Sequence, residues 1–142
     1  MIQSPYTFGK AEKLVSRKLI EQLFSGGNGR SMAAFPLRVV FMKKERGEGE
    51  PPVQVMVSVS KRHFKHAVKR NRVKRQVREA YRLNKSLLWS AFEQQPETAL
   101  AVAFIWQTNK IVDTSLVMEK MQLLLTRMAE KVLNNGQSGR VV

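Results

Sequence analysis

The chain has no cysteine. Disulfides, thiolate metal centres and a cysteine nucleophile are therefore excluded. Long apolar runs are missing too. The longest wholly apolar stretch, Ala99 to Trp106, is far too short to span a bilayer. Near the N-terminus, Ser4, Pro5 and Lys10 interrupt any signal-peptide core, so the cytoplasm is the default location. Histidine is scarce: His63 and His66 have no third metal-type partner nearby, and in a basic connector they read better as phosphate hydrogen-bond donors. Acidic residues are few, 11 against 25 Lys and Arg. They are scattered, and Glu45, Glu48 and Glu50 fall in a loop rich in Gly and Pro. No carboxylate pair suited to acid–base or metal-assisted phosphodiester hydrolysis stands out. The chain's 142 residues, 43% hydrophobic, suit one modest core and one domain over 1–142, with a core of about 6–133 and a flexible tail over 134–142.

The excess of positive charge is concentrated rather than spread. Of the net +14, about ten charges lie between Lys61 and Lys85, where Glu79 is the sole carboxylate. Charge this dense repels itself and calls for a polyanion, of which nucleic acid is the obvious class. From about Lys69 the segment has helical periodicity. Val73, Val77, Ala80, Tyr81 and Leu88 form one apolar stripe. Asn71, Lys74, Arg75, Arg78, Arg82 and Lys85 fall on a polar stripe roughly opposite. Such a helix docks on a core with one side and presents a cationic rail with the other. A merely solvated face would mix its signs.

The rest of the chain divides by pattern. Lys10 to Ser25 reads as a first helix with Leu14, Ile20, Leu23 and Phe24 on its apolar face, closed by Gly26-Gly27. Alternation from Phe35 to Met42 predicts a strand. Alternation from Val53 to Val59 predicts a second, paired with the first as a long-looped hairpin. Ala99 to Trp106 reads as a buried strand whose Ala99, Ala101 and Ala103 would admit a close-packed helix. The basic helix ends near Leu88 to Phe92. Asp113 is placed to cap a last helix with Val117, Met121, Leu124, Leu125, Met128 and Val132 as its core stripe. The class is α+β, a two-layer sandwich of helices against one sheet.

At this point the residues resemble a known family. Ala67-Val68-Lys69-Arg70-Asn71-Arg72-Val73-Lys74-Arg75, continuing into Val77-Arg78-Glu79-Ala80-Tyr81-Arg82, looks like the signature of the bacterial ribonuclease P protein subunit, with its Arg-Asn-Arg helix. The strand before it runs into Ser60-Lys61-Arg62, similar to the family's Ser-Lys-Lys or Ser-Lys-Arg. Phe8-Gly9-Lys10-Ala11-Glu12-Lys13-Leu14 and Leu23-Phe24-Ser25-Gly26-Gly27 match weaker flanking motifs in the same order. The resemblance covers roughly Tyr6 to Leu133. It implies an α-β-β-β-α-β-α order like that of a ribosomal protein's second domain, with a left-handed βαβ crossover against the usual rule.

The resemblance also implies a function. The partner would be a catalytic RNA holding Mg²⁺, with no metal or small-molecule cofactor bound by the protein alone. The substrate would be precursor tRNA, cleaved to release its 5′ leader, and no protein side chain would be catalytic. Lys69, Arg70, Asn71, Arg72 and Arg82 would face the catalytic RNA. Lys74, Arg75 and Arg78 would face the leader, flanked by Lys61 and Arg62. Phe24 matches an aromatic leader contact, for which an ordinary core aromatic is the competing reading. Ile20 stands where many members carry Phe. Arg38 stands where some carry Tyr, which suggests a leader phosphate contact. His63-Phe64-Lys65-His66 replaces a shorter Gly-containing turn, with Phe64 under the helix start.

Two other classes share some of these features. A ribosomal or assembly-type protein on structured RNA would have the same charge and fold, without the Arg-Asn-Arg helix and its strand. A major-groove DNA reader would favour a dimer and a short recognition face. Here the basic stripe runs along the helix, which suits tracking of a phosphate backbone.

Overall fold

Alternation translates directly into burial along the third strand: Val53, Val55 and Val57 are buried while Gln54, Met56 and Ser58 are half-buried. The computed structural model describes residues 8–25 and 29–138, the side chains of 135–138 excepted. Four strands, β1 (Arg30–Ala34), β2 (Leu37–Glu45), β3 (Val53–Ser58) and β4 (Thr98–Trp106), form one sheet in the order β1-β2-β4-β3. Among the described residues four α-helices accompany it: α1 (Arg17–Phe24), α2 (Ala67–Asn84), the one-turn α3 (Ser86–Trp89) that extends α2, and α4 (Thr114–Ser138). The fold is α+β, with the expected element order.

The sheet has two unlike faces. Leu37, Val39, Phe41, Val102, Phe104 and Trp106 point to the face where α2 and α4 pack, and that cluster is the main core. Val73, Val77 and Tyr81 of α2, and Val117, Met121, Leu124, Leu125, Met128 and Val132 of α4, are buried there as their periodicity requires. On the other face Met42, Ala101 and Ala103 meet Leu14 and Leu23, with Leu19 and Ile20 beside them. The alanines let α1 approach closely.

Three local expectations are corrected. β3 does not form a hairpin with β2. β4 lies between them, antiparallel to β2 and parallel to β3. The reason is burial: β4 is covered on both faces, and a strand without a solvent face belongs at the centre of a sheet. Phe35 does not open a strand. It sits 64% exposed beside Pro36, in a turn joining β2 to the additional strand β1. The first helix does not run from Lys10. Residues Lys10–Glu12 make one 3-10 turn, Lys13 bridges Val55, and the Leu14 amide donates to the Val55 carbonyl at 2.9 Å. The exposed edge of β3 thus captures this stretch, and α1 starts only where the Ser16 hydroxyl can accept from the Leu19 amide. Residues 134–138 continue α4. The Asp113 carbonyl accepts from the Leu116 and Val117 amides, as its place before the helix requires. Gly26-Gly27 and residues 139–142 lie outside the described residues.

One glycine fixes how α1 meets the sheet. A Cβ at Gly29 would lie 2.7 Å from the Leu23 carbonyl oxygen and 3.2 Å from Val40 Cγ1. The first neighbour is backbone and cannot rotate away. Gly29→Ala is expected to cost about 1–3 kcal/mol, as overpacking does. Chemical denaturation checks this, and an unchanged midpoint would mean that the α1–β1 connection yields freely.

Candidate nucleic-acid interface

The cationic helix begins with a braced connector. Phe64 is buried under it, and the Arg70 Nη1 donates to the carbonyls of Phe64 and Lys65, both at 2.8 Å. Arg70 therefore closes the 61–66 turn against the first turn of α2 while its other guanidinium donors remain for a ligand. Lys61, Arg62 and Lys69 are exposed on this turn and helix start. His66 precedes the helix without a side-chain cap, and His63 is half-buried.

Beyond Arg70 the rail is open. Asn71, Arg72, Lys74, Arg75 and Arg78 make no side-chain hydrogen bond or ion pair among the described residues. Lys74 is half-buried; the other four are exposed. Unpaired cations along one helix have their charge and donors available for phosphates. Arg82 differs. It forms a bidentate pair with Glu79, its Nε 3.1 Å from Oε1, and that pairing holds the Glu79 carboxyl below the usual carboxylate range.

Asn71, Arg75, Arg78, Glu79 and Arg82 line a groove of about 360 Å³, and its remaining wall is Phe8. Sequence reasoning used Phe8 only as part of a motif and did not assign it to the site. Its ring meets Tyr81 edge-on at 5.7 Å, with Lys13 Nζ 5.9 Å from its centroid. An aromatic edge beside forked guanidinium groups can hold a base while the arginines hold phosphates.

Lys85 does not belong to the rail. It is 3% exposed, and its Nζ donates to Glu12 Oε1 at 2.7 Å. Glu12 is 1% exposed and its other oxygen accepts from the Gly9 amide at 3.2 Å. Lys85 Nζ also lies 4.4 Å from the Trp89 ring centroid, while Trp89 Nε1 donates to the Tyr81 hydroxyl at 2.9 Å. Burial pushes the Tyr81 phenol well above its ordinary value. This buried cluster ties the segment carrying Phe8 to the end of α2.

The other candidates lie elsewhere. Arg38 is exposed on β2 and shares its face with Val40 and Met42, the face that α1 covers, whereas α2 packs on the opposite face. Phe24 ends α1 at 47% exposure, so it is not a core aromatic. Ile20 packs against the α1-side cluster. Among the described residues no group of three or more His, Asp or Glu side chains could hold a metal, and no helix is long and apolar enough to cross a membrane.

Comparison with known proteins adds the family. A family model described as Ribonuclease P matches residues 8–128. The chain is 41% identical over 131 residues to the ribonuclease P protein component of Porphyromonas gingivalis, covering 91% of this chain and 93% of that one. Its fold is similar to the solved RNase P protein from Thermotoga maritima, with a TM-score of 0.61 and 26% identity, covering 82% of this chain and 96% of that one. The RNase P protein of Staphylococcus aureus shares the fold at a TM-score of 0.54 and 22% identity, covering 90% and 97%.

Proposed function

Because this chain belongs to the ribonuclease P protein family, we propose that it binds the catalytic RNA of that enzyme and the 5′ leader of precursor tRNA, and so assists removal of the leader. The observation that supports the proposal is the row of unpaired cations on α2, Arg72, Lys74, Arg75 and Arg78, which follows Arg70-Asn71 and ends in the groove with Phe8. In this reading Lys69, Arg70, Asn71, Arg72 and Arg82 engage the catalytic RNA. Lys74, Arg75 and Arg78 track leader phosphates, with Lys61 and Arg62 at the strand end. Phe24 and Arg38 extend the leader path across the α1 side of the sheet.

Chemistry on the phosphodiester falls to the RNA partner. The described residues offer no donor set for a divalent ion, and the proposal places Mg²⁺ on the RNA. What the protein contributes is position and charge. It holds the leader in register and offsets the repulsion between two RNA strands brought side by side.

The test is reconstitution. Purified protein is mixed with ribonuclease P RNA and 5′-labelled precursor tRNA at low Mg²⁺, where RNA alone is slow. A single leader fragment that appears quickly only with both components is the expected result. RNA binding with no gain in cleavage would overturn it in favour of a structural RNA-binding module.

A further inference from the structure

We propose that a second cationic pocket, on the opposite flank of the sheet from the α2 rail, takes an RNA phosphodiester, so that the protein grips two separate backbone segments. This rests on the reading of the chain as an RNA-binding subunit. The pocket is a cavity of about 270 Å³. Three cations from three elements surround it: Arg30 on β1, Lys43 on β2 and Lys131 on α4. Beneath them lie Phe41, Leu100 and Val132, none more than 3% exposed.

The convergence is set by strand register rather than by long flexible side chains. Arg30 is paired with Phe41 across β1 and β2, and Lys43 with Leu100 across β2 and β4. Val132 of the floor follows Lys131 directly on α4 and is buried in the main core. None of the three cations has an ion pair or side-chain hydrogen bond among the described residues. Their neighbours show the contrast. Lys44, one residue on, is held by Glu50 at 2.8 Å, and Arg46 donates to the carbonyls of Thr98 and Gln95. Three like charges around one cavity repel one another, and an anion seated there relieves all three. Phosphate on the cations with ribose against the apolar floor satisfies both parts of the lining.

The rail cannot share the same phosphate. Its helix packs against β3 and α4, while the pocket opens between β1, β2 and α4. β1 and β3 are opposite edges of a four-stranded sheet, roughly 14 Å apart at strand spacing.

The absence of native cysteine makes a site-directed probe unambiguous. Two full-length variants, Arg127→Cys one turn before Lys131 and His66→Cys at the start of α2, each carry a tethered iron chelate that generates hydroxyl radicals. Each is assembled with ribonuclease P RNA and precursor tRNA. The residue-127 probe should cut one RNA at discrete positions different from those cut by the residue-66 probe. Cuts in the catalytic RNA or in the tRNA identify which supplies the phosphodiester. In parallel, the triple variant Arg30→Gln, Lys43→Gln, Lys131→Gln should keep its melting temperature while the slope of log affinity against log salt falls in magnitude by about 1, as expected for one phosphate no longer neutralised. Cuts from residue 66 alone, or cuts from residue 127 with an unchanged salt slope, would overturn the pocket. Silence from both probes would instead overturn the reading of the chain as an RNA-binding subunit.

Discussion

Replacing Lys85 with methionine should remove about 3–5 kcal/mol of folding stability, because it strands a buried carboxylate. Glu12 is 1% exposed, and without Lys85 its remaining hydrogen bond is the 3.2 Å contact from the Gly9 amide. Domains of this kind hold about 5–15 kcal/mol in total, so the loss is a large share and should lower the melting temperature by about 10 °C or more. Glu12→Leu alone should also destabilise, by removing the carboxylate that faces the buried Lys85 ammonium. The double variant Glu12→Leu, Lys85→Met should recover most of the loss, since an apolar pair of similar volume avoids the desolvation of both charges. The measurement is a double-mutant cycle by denaturant unfolding, with Trp89 fluorescence as a local report. Additive losses, or a Lys85→Met protein that melts normally, would show that the pair is not coupled as its 2.7 Å contact indicates.

That pair also shows where sequence reasoning stops. Helical spacing put Lys85 on the same stripe as Asn71, Arg78 and Arg82, and along one helix the arithmetic is sound. Its environment is decided by Glu12, 73 residues away, and no local pattern carries that information. The same division holds throughout. The core stripes of α2 and α4 were legible because a 3.6-residue period reports burial directly. The pairing of β3 was not, because alternation says which face a strand buries and nothing about its neighbour. β1 escaped the pattern because Arg30-Ser31-Met32-Ala33-Ala34 has no bulky alternation. The site followed suit: the rail is local and was read from spacing, whereas Phe8 joins it only through the fold.

The leader assignment makes the most discriminating prediction. Arg75→Ala combined with Arg78→Ala should weaken precursor-tRNA binding by about a hundredfold or more, from two charge-assisted contacts worth about 1.5–3 kcal/mol each. Binding of mature tRNA should change far less, because only the precursor carries the leader. Both arginines are exposed, unpaired and on the groove, so their loss leaves the core of α2 untouched and melting should stay within a degree or two. The slope of log affinity against log salt for the precursor should drop in magnitude by about 2. Arg72→Ala supplies the contrast. If it faces the catalytic RNA, it should weaken assembly of the two subunits and affect both tRNAs alike. Titration of each variant into the RNA subunit, followed by binding of either tRNA, separates these effects. Equal loss of precursor and mature tRNA on removing Arg75 and Arg78 would move those residues from the leader to the catalytic RNA. That result would leave the rail as one continuous contact with a single partner, and the groove with Phe8 would then hold an unstacked base of that RNA rather than of the leader.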